Sequence, residues 1–440
     1  MMKSLRKLVA GAAALALGLS LSACGSDSAK DDKTTAAGQT TTAADETLTV
    51  WAWDPAFNIY ALKEAEKIYQ KDHPNFKLNV VETPWDDLQP KLTTIAQSNQ
   101  IDQLPDIFLM QNYSFQKNVV NYPDIFTTID ASKIDFKQFP ESVVNSSTHD
   151  GKNYGLPFDS GTAISALRTD VLEQAGYKVD DFKDITWDEY LTKGKDILAK
   201  TGKPLMSTMA GNSDLVMMML GSAGKGLFDK SGKATIADND ALIEVARIYK
   251  EAIDSGVLQI VNSWDEYIGS FVNGNVAGTI NGVWIAASIQ TAKDQEGKWA
   301  ITNVPSLSKI DGATNYTSNG GSSWAISANA KKELATDFLA KTFAGSVDFY
   351  DTILSRAGAI ANWIPAGKSS VYGEPQKFFG GQKVYSDVVE FGSKVPAVVT
   401  GVYHTEARDA VNTALTKIAS GADAKTAFAE AQKTVEFAMK

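Results

Sequence analysis

The stretch LTVWAWDPAFNIYALKEAEKIYQKDHPNFKLNVV, residues 48–81, indicates the fold class of the chain. Residues 48–53 are mostly apolar, aromatic or β-branched, which is typical of a buried strand. Between residues 61 and 71 the apolar residues recur at helical spacing, and a second apolar run follows at residues 77–81. A strand, a helix and a strand in this order predict a β-α-β unit with parallel strands.

The same alternation continues toward the carboxyl terminus. Residues 88–98 have a helical pattern, residues 106–110 read as a buried strand, and residues 152–158 form an extended run. Five more helices are predicted at 186–200, with Thr186 as N-cap, and at 240–255, 331–344, 405–420 and 424–438. We therefore expect an α/β architecture with mainly parallel sheets, in a chain long enough for two domains.

Residues 1–23 read as a lipoprotein signal peptide. Basic residues precede the apolar run 8–19, which spans only about 18 Å as a helix, too short for a hydrocarbon core of roughly 30 Å. The run ends at Leu21-Ser22-Ala23-Cys24, and Cys24 is the single cysteine of the 440 residues. This pattern resembles the bacterial lipobox, which implies lipidation of Cys24 and anchoring to a membrane. A buried cysteine, or a secreted protein without an anchor, is the alternative.

Residues 24–45 are predicted to form the lipidated cysteine and a flexible tether. Residues 25–45 contain no aromatic residue, Leu, Ile or Val, so they bury too little apolar surface to fold. A flexible chain of this length has a root-mean-square reach of about 25 Å. The sequence predicts a location at the extracellular face of the cell membrane, with a spacer that suits a Gram-positive envelope, while a periplasmic location stays open.

The charge of the chain argues against two classes of partner. The formal net charge is −10, and it becomes −13 when the three basic residues of segment 1–23 are removed. An acidic body without a basic run argues against nucleic acid and anionic surfaces as partners. Because there is no second cysteine, no intramolecular disulfide can form, and the core alone must stabilise an exported protein.

Enzyme motifs and metal-binding motifs in the sequence are few and incomplete. Gly367-Lys368-Ser369 ends like a phosphate-binding loop, but Asn362 stands where that loop needs its first glycine. The segment 238–240 begins like a calcium loop and fits a helix N-cap better. The three histidines lack metal-ligand spacing, and no G-x-S-x-G elbow occurs. We expect no cofactor and no metal, although paired catalytic carboxylates stay open because their spacing is spatial.

Aromatic and polar residues follow the predicted strands at the points where these end. Ligands of open α/β sheets bind beyond the carboxyl ends of strands, and sugars need aromatic faces with planar polar groups. A single tryptophan at such a point is more often a packing residue, but several strand ends share the pattern. The residues concerned are Trp53, Asp54, Phe57, Trp85, Gln111, Asn112 and Asp159.

Seven segments, in this order, carry a family resemblance: 48–51, 105–108, 151–157, 186–190, 271–284, 319–322 and 419–427. Through them the chain resembles extracellular solute-binding proteins of carbohydrate ABC importers. It is similar to the oligosaccharide branch, which includes maltodextrin-, lactose- and arabinose-oligosaccharide-binding proteins.

The resemblance implies a two-lobed periplasmic-binding-protein-like fold of type II with three hinge crossings. The crossings are expected near 158–161, 277–279 and 320–322, where glycines suit a hinge. Lobe one would comprise 46–158 plus 279–319, and lobe two 159–278 plus 320–440.

The resemblance also implies which residues bind ligand. Lobe one would contribute the six residues between Trp53 and Asn112 named above, and the hinge would contribute Asp159, Gly320 and Gly321. Lobe two would contribute the loop 209–212 with Asn212, together with Trp264, Trp363 and Tyr403. Trp284 fits two roles equally, one facing the cleft and one anchoring the helix that follows it. Methionines stand in lobe two where maltodextrin binders carry aromatic residues, which argues against maltodextrin itself.

These features together predict a monomeric, membrane-tethered receptor without enzymatic activity. It would capture a neutral di- or oligosaccharide between its lobes and deliver it to the transmembrane subunits of an ABC permease. Two alternatives from other classes are a membrane-anchored glycan-degrading enzyme and a peptide or sensor solute receptor.

Overall fold

The computed structural model describes residues 46–440, except for the side chains at positions 86 and 142. The predicted signal peptide, Cys24 and the tether lie outside the described residues. The strands are β1 (Thr47–Ala52), β2 (Lys77–Glu82), β3 (Ile107–Gln111), β4 (Phe126–Thr127), β5 (Thr148–His149), β6 (Lys152–Asn153), β7 (Gly155–Asp159), β8 (Ala163–Arg168), β9 (Met206–Met209), β10 (Leu258–Val261), β11 (Gly278–Gly282), β12 (Trp299–Thr302) and β13 (Ser322–Ser327).

The α-helices alternate with these strands through most of the chain. They are α1 (Asn58–Tyr69), α2 (Trp85–Ser98), α3 (Asn112–Asn121), α4 (Glu141–Ser146), α5 (Thr169–Ala175), α6 (Trp187–Thr201), α7 (Asp214–Ser222), α8 (Asp240–Asp254), α9 (Trp264–Val272), α10 (Ile285–Ile289), α11 (Lys332–Lys341), α12 (Val347–Ala357), α13 (Val384–Gly392), α14 (His404–Ala419) and α15 (Ala424–Ala438). Of the helices at positions 46–440, none is both long enough and apolar enough to cross a membrane.

The first sheet contains the predicted β-α-β unit. β1 runs parallel to both β2 and β3, with Val50 opposite Val80 on one side and Ile107 on the other. β13 lies antiparallel beside β3, and its other edge pairs with β7 and β4. The carboxyl ends of β1, β2 and β3 therefore meet at one edge of this sheet, as the sequence predicts.

The second group of strands contains a three-stranded sheet with the order β11-β8-β12, and a separate parallel pair of β9 and β10. Both partners of β8 run antiparallel to it. The prediction of mainly parallel sheets is therefore wrong, because six of the nine strand pairings in the described region are antiparallel. β13 joins the first sheet antiparallel to β3 after a long intervening segment of chain. Sequence periodicity does not reveal the direction of such a strand.

The strand pairing groups the segments of the two predicted lobes differently. β11 and β12, which lie within the segment 279–319 apart from the first residue of β11, pair with β8 and not with the strands of 46–158. β13, within 320–440, pairs with β3 of the first sheet. The glycine near the expected crossing at 277–279 has another purpose. A Cβ on Gly278 would lie 2.5 Å from the carbonyl oxygen of Ala166, so this glycine permits close strand pairing.

The chain nevertheless passes between the two groups three times. The first passage joins β7 to β8, and the second joins β12 to β13. The third follows α12, since Phe349 and Ile353 of α12 pack beneath the first sheet while Val384 and Tyr385 of α13 pack with β8.

Local capping signals in the sequence are confirmed. The Oγ1 of Thr186 accepts a hydrogen bond from the Glu189 N–H at 3.3 Å, and a Glu189 carboxylate oxygen accepts one from the Thr186 N–H at 2.8 Å. This capping box begins α6. The Oδ1 of Asn239 accepts from the Leu242 N–H at 3.1 Å and begins α8, so the segment 238–240 is an N-cap.

Candidate ligand-binding site

A cleft of about 410 Å³ lies between the carboxyl edge of the first sheet and loops of the second group. Its volume is in the usual range for small-molecule sites. The structure brings eleven of the fourteen predicted ligand-binding residues to its walls: Trp53, Asp54, Phe57, Trp85, Gln111, Asp159, Asn212, Trp264, Trp284, Gly320 and Gly321. Asn112, Trp363 and Tyr403 do not line it.

The loop after β1 is fixed by its own side chains. Asn58 accepts hydrogen bonds through Oδ1 from the backbone N–H groups of Trp53, at 3.1 Å, and Asp54, at 3.0 Å. Asp54 in turn accepts from the N–H groups of Ala56, at 2.8 Å, and Phe57, at 3.0 Å. Burial raises the pKa of the Asp54 carboxyl, and these two hydrogen bonds oppose the rise. These four hydrogen bonds fix the backbone that carries Trp53.

Two polar atoms at the cleft have unused hydrogen-bonding capacity. The Oε1 of Gln111 and the Nδ2 of Asn58 are buried and have no hydrogen-bond partner among the described residues. Both residues line the cleft. Because buried polar groups are almost always paired, these two atoms are candidates for contact with a bound molecule.

Asn112 instead supports the crossing between the two sheets. Its Oδ1 accepts a hydrogen bond from the Ser323 hydroxyl at 2.7 Å, and its backbone N–H donates to the Gly321 carbonyl at 3.0 Å. Asn112 lines a second cavity of about 420 Å³, which shares Asn319 and Gly320 with the cleft.

Asp159 ends β7 at the floor of the cleft. Its Oδ1 accepts hydrogen bonds from the Ser322 N–H, at 3.0 Å, and from the Ser322 hydroxyl. Burial raises the pKa of Asp159 to about 6, although both hydrogen bonds from Ser322 act in the opposite direction. The Oδ1 of Asp159, a residue predicted to bind sugar hydroxyls, therefore joins β7 to β13.

The second crossing passes Gly320 and Gly321 in the left-handed region, with φ of 84° and 83°. Close packing occurs beside it, because a Cβ on Gly161 would lie 2.5 Å from the Asn319 carbonyl oxygen. Glycine takes such angles without the strain that a Cβ would cause. The Asn319 N–H also donates to the Gly161 carbonyl at 2.7 Å, so the crossings at 159–163 and 319–322 pack directly against each other.

Trp284 has both of the roles that the sequence left open. Its indole N–H donates to the Asn319 carbonyl at 3.0 Å, which ties the α10 segment to the crossing. Its ring also lines the cleft and lies 6.0 Å from the ring of Trp264, with 35° between the planes. Behind it, the Nδ2 of Asn319 donates to Asn281 at 2.8 Å.

Trp363 and Tyr403 are partly buried and pack against the hydrophobic cores. The Trp363 ring stacks on Tyr350 with centroids 6.3 Å apart, beneath the first sheet. Tyr403 packs against the core of the second group. Both residues sit in irregular segments, where a position transferred from a resemblance is least secure.

Several cleft residues were missed by the sequence reasoning. Glu82 is the last residue of β2, and Asp214 and Asp265 lie in the first turns of the helices after β9 and β10. The strand-end rule, applied to every strand, would have found them. The other missed lining residues are Asn58, Pro84, Ser263, Asn319 and Ser322, while Met209 belongs to the predicted loop 209–212.

The missed residues make the cleft acidic. Five carboxylates line it, from Asp54, Glu82, Asp159, Asp214 and Asp265, and no described lining residue is a lysine or arginine. An anionic ligand would meet repulsion here without a cationic partner. Among the side chains that the structure describes, no group of three or more His, Cys, Asp or Glu is arranged to hold a metal ion.

Comparisons with known proteins agree with this architecture. A family model described as "Bacterial extracellular solute-binding protein" matches residues 64–360. The lactose-binding protein of Rhizobium radiobacter is 37% identical over 365 residues, which cover 83% of this chain and 86% of that protein. The arabinooligosaccharide-binding protein of Bacillus subtilis (strain 168) is 26% identical over 67% of this chain and 68% of that protein.

The fold is shared with a solved structure. The ABC-transporter-associated binding protein of B. animalis subsp. lactis Bl-04, in complex with beta-1,6-galactobiose, superposes with a TM-score of 0.74 at 21% identity, over 90% of this chain and 96% of that one. The predicted fold class, an α/β two-lobed periplasmic-binding-protein-like fold, is confirmed by this likeness. The chain belongs to the family of bacterial extracellular solute-binding proteins.

Proposed function

We propose that this protein is the sugar-binding receptor of an ABC importer, which takes a neutral di- or oligosaccharide into the cleft and delivers it to the permease. The observation that carries the proposal is that tryptophans face the cleft from both sides. Trp53 and Trp85 follow strands of the first sheet, and Trp264 and Trp284 follow strands of the second group. Flat aromatic faces suit the C–H surfaces of sugar rings, and a ligand between them joins the two lobes.

The polar groups of the cleft support a sugar over an apolar ligand. Gln111 and Asn58 each offer a buried polar atom without a protein partner. A sugar hydroxyl can both donate and accept, so it can satisfy the carbonyl oxygen of one residue and the amide nitrogen of the other. The five carboxylates and the lack of a lysine or arginine on the described cleft wall favour a neutral sugar over a uronate or a phosphorylated sugar.

The relatives support the same substrate class. One binds lactose, a second binds arabinooligosaccharides, and the B. animalis structure contains a galactobiose. The family is one of solute-binding proteins, which favours binding over catalysis as the function.

The proposal is tested by calorimetric titration of residues 46–440 with a panel that includes lactose, β-1,6-galactobiose, arabino-oligosaccharides and a uronate-bearing disaccharide. We expect one neutral saccharide to bind with a stoichiometry of one and the uronate to bind more weakly. If the pure protein cleaves a saccharide of the panel, the result favours the alternative of a glycan-degrading enzyme over a receptor. If peptides bind and no saccharide does, the proposal fails.

We further propose a lobe division that follows the strand pairing. Lobe one would comprise residues 46–160 plus 320–366, because Ala359, Trp363 and Ala366 still pack with the core of the first sheet, and lobe two 161–319 plus 367–440. Limited proteolysis at the three passages, with and without ligand, tests this division. Cuts that fall instead within β11 or β13 would contradict it.

The lipid anchor remains a proposal that rests on Leu21-Ser22-Ala23-Cys24. Lipidation of Cys24 would hold the receptor beside its permease at the outer face of the membrane. We expect Cys24→Ser to move the protein from the detergent phase to the aqueous phase without a change in its unfolding temperature. Equal detergent partitioning of both forms would contradict the anchor.

A further inference from the structure

Helices α3 and α14 touch although they belong to different lobes of the proposed division. α3 begins directly after β3 of the first sheet, and α14 packs through Ala407 and Val411 into the core of the second group. The Nζ of Lys117 on α3 forms an ion pair with a carboxylate oxygen of Glu406 on α14. Their side chains are 24% and 29% exposed, so solvent and salt screen this pair less than a fully exposed one.

Two ring contacts join the same helices. The ring centroids of Tyr113 and His404 are 5.0 Å apart, and the guanidinium of Arg408 lies 5.1 Å from the centroid of Tyr113. Burial lowers the pKa of His404 to about 3, so its ring is neutral at physiological pH and does not repel Arg408. A cation over an aromatic face is attracted by the ring quadrupole.

The α3–α14 contact is connected to the cleft. Arg408 is 8% exposed, and its guanidinium forms an ion pair with Asp214, which lines the cleft. Its Nε donates to the Ser213 hydroxyl at 3.2 Å. The residues that hold α14 to α3 therefore also hold one wall of the candidate site.

We propose that the α3–α14 contact is an interlobe latch, in which Lys117 and Glu406 are positioning residues that stabilise the closed form. This inference rests on the proposed function, in which the lobes rotate about the three passages. Because the two helices move with different lobes and meet beside the cleft wall that carries Asp214, opening of the cleft should separate them. Each broken latch contact then lowers the population of the closed form, and the apparent affinity falls in proportion to that population.

The latch has a signature that a direct ligand contact lacks. Lys117 and Glu406 do not line the cleft. Their loss should weaken every ligand by the same factor, since it acts on closure and not on the bound molecule. A residue that touches the sugar would instead change the ranking of ligands.

The experiment uses the single variants Lys117→Glu and Glu406→Lys, their double charge swap, and the neutral variants Lys117→Met and Glu406→Gln. Affinity is measured by calorimetry for two saccharides, dissociation by stopped flow, and the radius of gyration without ligand by small-angle scattering. The matched control is Lys417→Glu, which carries the same charge change on α14 and breaks a pair with Glu430 of α15 in the same lobe.

We expect each single latch variant to weaken both saccharides equally, by about two- to tenfold, to speed dissociation and to enlarge the unliganded protein. The double swap should restore affinity and size, and Lys417→Glu should change neither. The neutral variants give the same direction of effect if a charge-reversal variant does not fold.

Three results would overturn the latch. These are unchanged affinity and size in the single variants, unequal losses for the two saccharides, and a double swap no better than the singles. If the wild type binds no saccharide, the proposed function fails, while scattering of the unliganded variants still decides whether the helices hold the lobes together.

Discussion

Trp53 is the residue on which the cleft depends most directly. Asn58 orders its backbone, and its half-buried ring lies on the cleft wall. Trp53→Ala should lower the affinity for the best saccharide of the panel by roughly 5- to 150-fold, which corresponds to about 1–3 kcal/mol of lost contact. Calorimetry measures this loss, with Phe437→Ala as a control because Phe437 is 79% exposed on α15. A folded Trp53→Ala protein with wild-type affinity would remove this cleft from consideration.

Asp159 gives the protein a pH dependence with a definite sign. Burial raises its pKa from the ordinary value of 3.8 to about 6, so the folded protein binds a proton that the unfolded chain has already released. Its contribution to stability is therefore complete below pH 3.8 and is lost as the pH rises through 6. The difference between the pKa values in the folded and unfolded states corresponds to roughly 3 kcal/mol in the free energy of unfolding.

The variant Asp159→Asn cannot ionise and should lack this loss. Its free energy of unfolding, relative to wild type, should rise between pH 4 and pH 6 and level off above pH 6. Urea unfolding at a series of pH values measures the difference, and contributions from other titrating groups cancel between the two proteins. A difference that stays flat over this range would show that Asp159 does not titrate as described.

At the scale of the elements, the second crossing should be the least tolerant of added side chains. Gly321 has φ of 83°, and a Cβ there would lie 3.1 Å from the Nδ2 of Asn112. Gly321→Ala should lower the free energy of unfolding by about 1–2 kcal/mol through backbone strain. Gly367→Ala is the control, because no heavy atom lies within 4 Å of its added Cβ and its φ is not positive. Equal urea midpoints for both variants would contradict the strain.

The helices and their caps could be predicted because their signals are local. α15 has its predicted bounds, and Thr186 caps α6 through a residue only three positions away. Strand pairing could not be predicted in the same way, since β13 joins the first sheet from more than 160 residues beyond β7. Gly278 looked like a hinge because glycine permits both bending and close packing, and the sequence does not distinguish the two uses.

The residues of the candidate site were also predictable only where the signal in the sequence is local. Trp53, Gln111 and Trp85 were found because a strand end places its next residues at the sheet edge. The partner of Asp159 was not found, because Ser322 lies 163 residues away and only the assembled hinge brings the two together. The rule that ligands bind at strand ends therefore predicted where the cleft lies. The hydrogen-bond partners of its residues could be identified only from the tertiary structure.

At the scale of the whole molecule, the walls of the cleft come from the first sheet and from the second group of strands, between which the chain passes three times. Trp53 and Trp264 stand on opposite walls. A saccharide that touches both can do so fully only when the lobes approach, so ligand favours the closed form by its differential affinity. Rigid rotation about short crossings is the motion that this connectivity permits.

Saturating ligand should therefore reduce the radius of gyration while the far-ultraviolet circular dichroism stays constant. Small-angle scattering with and without the best saccharide measures the radius of gyration, and Trp53→Ala at the same saccharide concentration is the control that should stay extended.

The α3–α14 latch sets the size of this compaction, because a strong α3–α14 contact already closes part of the unliganded population. In Lys117→Glu the unliganded protein should be larger, so ligand should produce a greater compaction than in wild type, provided that saturation is reached. Identical scattering profiles of free and liganded wild type, with binding confirmed by calorimetry, together with an equally unchanged Lys117→Glu protein, would show that the lobes do not move.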